Sequence, residues 1–147
     1  MSFREKSAWA CLLTTAGVYI PYFAYMLILY IKGDLRVASV FPAFVGTVVL
    51  QTILATALHV VFALQSRQEK TDERDLAIES RSIKVSYYVL ISSGFLGIAL
   101  VFTFLSKFPP VRDASAAVLM SQILLLCFVG AEVTGYLVQV VCYRRGS

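Results

Sequence analysis

Apolar residues fall into four long runs, and polar residues are confined to the chain ends, two short turns and one central bridge. The runs cover about 8–31, 37–64, 85–105 and 114–141. Each meets or exceeds the roughly 20 residues a helix needs to cross about 30 Å of hydrocarbon. Lipid offers no partners to backbone amides, so runs of this kind fold as helices. The pattern predicts an all-α polytopic membrane protein, one domain (1–147) built as a four-transmembrane-helix bundle.

Polar positions within the runs predict how the helices face one another. Thr15, Tyr19, Tyr22 and Met26 recur on one helical face of the first run, which suits packing against a neighbour or, less simply, lining a polar cavity. Pro21 falls mid-run and is expected to kink the helix or free a carbonyl. Thr52, Thr56 and His59 share a face of the second run and are expected to turn toward the bundle. In the third run Ser86, Ser93 and Gly97 align, and Ser93-x-x-x-Gly97 permits close helix approach. Ser121, Glu132, Gly135 and Gln139 align on the fourth. Two turns, Lys32 to Arg36 and Ser106 to Asp113 with Pro109-Pro110, close the two hairpins.

The central stretch 65–84, QSRQEKTDERDLAIESRSIK, is the one long charged segment. Thr71 or Asp72 suits a helix N-cap, with Glu73 and Asp75 in the first turn where the positive helix end favours them. The third helix is therefore expected to begin near Asp72 and to project about three turns beyond the bilayer, with Leu76, Ala77 and Ile83 as its apolar side. Arg67, Lys70 or a second subunit are candidate partners for its acidic cluster.

Charge sets the orientation. Nine Lys and Arg residues lie at the termini and in the central loop, against four in the two turns. The positive-inside rule then places both termini and 65–84 in the cytoplasm, N-in and C-in. Arg4 and Lys6 precede a run too long for a signal-peptide core, so the first helix is expected to be retained. Composition agrees: 59% hydrophobic, 15% charged, mean hydropathy +0.76, against roughly a quarter charged in an ordinary soluble domain. The net charge of +4 comes from basic residues at run ends, which is membrane topology and no nucleic-acid surface. Cys11, Cys127 and Cys142 are widely spaced with no C-x-x-C, so no redox pair is expected.

Two places carry candidate chemistry. Glu132 is the acidic residue inside a span, a costly placement that marks a functional candidate. It lies roughly 18 Å in from Arg144 and His59 roughly 12 Å in from Arg67, at 1.5 Å per residue. The two are expected to face one interior, with Gln139 and Tyr136 or Tyr22 nearby, either gluing helices or handling an ion, a proton or a small ligand. One histidine and one carboxylate are too few for a metal site, and no cofactor is expected. The second place is Asp72, Glu73, Arg74, Asp75 and Arg81, which reads either as a solvated, charge-balanced helix start or as a docking surface for a cytoplasmic or membrane protein partner. No nucleophile or phosphate-binding loop accompanies these carboxylates, which argues against an enzyme.

Asp72-Glu73-Arg74-Asp75-x-x-Ile78-x-x-Arg81, between the second and third of four spans, resembles a pattern in small bacterial inner-membrane proteins with a D-E-R-x-x-x-I signature. The resemblance covers about ten residues plus the topology. It implies a bacterial, multi-pass inner-membrane protein and assigns no activity. The principal expectation is thus a non-enzymatic accessory or regulatory protein acting through contact of its central segment, with homodimerisation among its possible associations. The alternative is a small transporter or ion- and proton-handling protein using Glu132 and His59.

Overall fold

The computed structural model describes residues 3–34, 36–65, 72–107 and 114–145. Among them are four helices, α1 (Phe3–Ile31), α2 (Val37–Gln65), α3 (Glu73–Lys107) and α4 (Ala114–Arg145). All four are long and apolar enough to cross a membrane, and the described residues contain no strand. The chain is a multi-pass, all-α bundle. The expected Pro109-Pro110 turn, the Thr71 cap, and any pairing by Arg67 or Lys70 lie outside the described residues.

The helix ends follow local chemistry. Gly33, at φ +69°, ends α1. Its N–H donates to the Tyr30 carbonyl at 3.1 Å and that of Asp34 to Leu29 at 3.0 Å, the Schellman pairing that a left-handed glycine allows. Asp34 then takes Arg36 in an ion pair at 3.0 Å, and the Arg36 carbonyl opens α2 by accepting from Ser39 and Val40. Asp72 stands at the N-cap of α3, its carbonyl accepting from Asp75 and Leu76, as expected.

α1 is the inner helix. Glu5, Ala8, Leu12, Thr15, Tyr19, Tyr22, Met26 and Leu29 are all buried, a strict alternation of three and four residues over the whole helix. That spacing is the seam of left-handed, knobs-into-holes packing. It extends the face expected from Thr15 to Met26, which serves as a packing surface between α2 and α4. The helix runs without a break through Pro21, which lies exposed. The hydrophobic core gathers Tyr19, Tyr22, Met26 and Leu29 of α1 with Val40 of α2 and Val118 and Val129 of α4.

α3 packs along α4 on a different principle, a seam of small residues. Gln139 Nε2 donates to Ser82 Oγ at 3.0 Å. A Cβ added at Gly135 would collide with Ser86 Oγ. The Cys127 thiol donates to the Ser93 carbonyl at 3.3 Å, and a Cβ at Gly97 would come within 3.1 Å of Ile123 Cγ2. Ser86, Ser93 and Gly97 therefore form one contact stripe, as their spacing predicts. Small side chains let two helices approach closely where apolar burial gives no drive between them.

One expected face, that of α2, is corrected. Thr52, Thr56 and His59 are exposed, and Gln51 is the buried polar residue of α2. Thr52 Oγ1 donates to Val48 O at 2.8 Å, so its hydroxyl is satisfied within its own helix and needs no neighbour. In the α3 extension the apolar side formed by Leu76, Ala77 and Ile83 faces outward, while Ile78 and Ser82 are buried. The Ser82–Gln139 bond and the nearby charge pairs fix which side faces α4.

The seam is testable by thermal unfolding in detergent. Gly135→Ala should destabilise the bundle by about 1–3 kcal/mol, as overpacking does, and Ser86→Ala in the same chain should recover most of the loss. Gly94→Ala, where a Cβ meets nothing within 4 Å, should be neutral or stabilising.

Candidate functional site

The start of α1, the start of α3 and the end of α4 meet at one end of the bundle. There Arg4 Nε lies 3.3 Å from Asp75 Oδ2, and Arg144 Nε lies 3.6 Å from Glu5 Oε1. Glu5 is buried while Arg144 is largely exposed, and the Arg144 guanidinium also stacks 5.3 Å from the centroid of the Trp9 ring, within cation–π range. These contacts clasp the start of α1 to the start of α3 and the end of α4.

Directly below the clasp is a partly open cavity of about 480 Å³, to which all four helices contribute. Its wall includes Ser7 and Cys11 of α1, His59 and Phe62 of α2, Glu79 of α3, and Tyr136, Gln139 and Tyr143 of α4. The size lies in the range of small-ligand sites. The His59 Nδ1–H donates to the Ala55 carbonyl at 2.7 Å. A neutral ring held that way carries its proton on Nδ1 and leaves Nε2 as an acceptor.

Glu132 is exposed, and its Oε1 accepts the Tyr136 hydroxyl at 3.2 Å. Tyr136 itself lines the cavity, as does Cys11 of α1. Tyr136 therefore connects the carboxylate to the cavity wall. Of the candidates expected to share an interior, His59 and Gln139 line the cavity and Glu132 joins it through Tyr136. Tyr22 does not belong: its hydroxyl donates to Gln122 Oε1 at 2.6 Å, ten residues or about 15 Å along α4 from Glu132. A phenol in mid-span takes the nearest amide, and that amide is Gln122.

The docking candidates divide as well. Asp72, Glu73, Arg74 and Arg81 are exposed. Asp75 is partly buried and engaged by Arg4, so it serves the fold and drops out of a free docking face. Arg4, Ser7, Cys11, Glu79 and Tyr143 are wall residues beyond those expected from the sequence. Ser7 and Cys11, four apart beside the buried stripe of α1, were the available signal. The chain matches no family model, no curated protein and no solved structure.

Water access to the cavity predicts a labelling order. With Cys127 and Cys142 changed to serine, Cys11 should react with a small, charged methanethiosulfonate reagent. A chain retaining Cys127 alone should react about tenfold more slowly, since exposure governs thiol reactivity. Equal rates would mean that the cavity is closed to water.

Proposed function

We propose that this chain is a small, non-enzymatic accessory or regulatory protein of a bacterial inner membrane that works by contact through the start of α3. Support comes from one observation, the outward face of the α3 extension. Ile78 and Ser82 are buried on the inner side and Asp75 is held by Arg4. Opposite them Glu73, Leu76, Ala77, Ser80, Ile83 and Lys84 are exposed, flanked by Arg74 and Arg81. A rigidly held helix with a narrow apolar strip between opposite charges is suited to recognising a protein partner, the apolar strip supplying contact area and the charges register. The bacterial inner-membrane placement rests on the D-E-R-x-x-x-I resemblance and the positive-inside bias. The partner is a membrane or cytoplasmic protein, a second copy of this chain included.

A photo-crosslinking amino acid at Leu76 or Arg81, in cells carrying two differently tagged copies, tests this reading. The expected result is a discrete protein adduct that Arg74→Glu removes and Glu132→Gln leaves intact; the tags separate self-association from another partner. Adducts to lipid alone would sink it.

A second reading, ion or proton handling, is favoured by the cavity that brings His59 beside Tyr136 and its bond to Glu132. Under it, Glu132→Gln and His59→Ala each abolish a pH-dependent flux in proteoliposomes, and changes at Arg74 and Arg81 leave the flux unchanged.

A further inference from the structure

We infer that the cavity at the clasped end binds a small organic cation, an aromatic or alkyl ammonium. The inference rests on the second reading above, in which this cavity is a working site, and it names the chemical class of what enters.

The charges around the wall decide the sign. Arg4 reaches the cavity but is matched by Asp75 at 3.3 Å. Glu79 lines the wall, and Glu132 stands behind the Tyr136 hydroxyl. Once Arg4 and Asp75 are set against each other, two carboxylates remain, and among the described wall residues the other basic side chain is His59. An anion would meet an Arg4 already neutralised by Asp75, with Glu79 and Glu132 to repel it. A cation meets negative potential without breaking a contact.

The wall's rings decide the class. Tyr136 and Tyr143 from α4 and Phe62 and His59 from α2 border the same space. Aromatic faces carry negative charge density, and tyrosine and phenylalanine cradle ammonium groups once water is excluded. A strongly hydrated metal ion would need a close set of oxygen ligands, whereas a weakly hydrated organic ammonium is satisfied by rings and one distant carboxylate. At about 480 Å³ the space is far larger than a bare ion requires and fits a molecule of ten or so heavy atoms.

The test uses the full chain in lipid nanodiscs and titrates benzyltrimethylammonium, benzyl alcohol and benzoate by calorimetry, with empty nanodiscs subtracted. The expected result is saturable binding of the cation, at least about tenfold tighter than either benzyl alcohol or benzoate. Glu79→Gln and Tyr143→Leu should each weaken it about five- to tenfold, with Tyr143→Phe near the parent chain. Glu79 is exposed, so its substitution leaves folding intact, and helical circular dichroism checks the others. Equal binding of benzyl alcohol, tighter binding of benzoate, or cation binding indifferent to Glu79→Gln and Tyr143→Leu would overturn the inference. If no probe binds while the pH-dependent flux persists, the cation class is wrong and the ion-handling reading stands. If the flux is absent too, both fall.

Discussion

A solvent that cannot hydrogen-bond governs this structure. A polar side chain in the spans gains most from a partner within the protein, and two solutions recur among the described residues. Thr14, Thr52, Thr103 and Thr134 donate to the carbonyl four residues back, and Ser93 and Ser121 to the one three back. These hydroxyls are silent about neighbours. Gln51 donating to Thr15, Tyr22 to Gln122 and Gln139 to Ser82 are the other solution, amides and phenols too long to fold back on their own turn. Those three bonds tie α2 to α1, α1 to α4 and α4 to α3.

This distinction explains which parts of the fold were legible in the sequence. Helix number and the N-cap at Asp72 follow from apolar run length and capping chemistry, and they match, while α1 and α4 run past the apolar runs to Phe3 and Arg145. The α1 seam was visible from Thr15 to Met26 because tyrosine and methionine are large enough to mark a face. The α2 stripe was misread because Thr52 and His59 resemble buried polar residues by type while being satisfied by Val48 and Ala55 of their own helix. Gln51, which does cross, has no periodic companions and so left no pattern. Among the described residues, buried Gln51 Oε1 and Trp9 Nε1 make no hydrogen bond, and the Trp9 ring is met by the Arg144 guanidinium instead.

The site was half legible. A carboxylate in a span is conspicuous in any sequence, and so was its histidine counterpart. The link between them was not, because it runs through Tyr136 and a space bordered by four helices, which no single-helix periodicity encodes. Asp75 illustrates the converse. In sequence it belongs to an acidic-basic cluster that reads as one surface. In space Arg4, seventy-one positions away, claims it, and the cluster becomes part clasp and part free face.

α3 leans on α4 along its length, and its other tie is the Arg4–Asp75 pair. The α1–α2 hairpin therefore carries its own Thr15–Gln51 bond whatever follows it in the chain, whereas α3 lacks its main neighbour until α4 is in place. Ser82 and Ser93, donating to the carbonyls of Glu79 and Leu90 three residues back, are satisfied without that neighbour. The final helix thus acts as the keystone of biogenesis, wedging between an early hairpin and a late orphan, and a nascent chain cut short before it would leave cellular quality control a loose third rod to recognise.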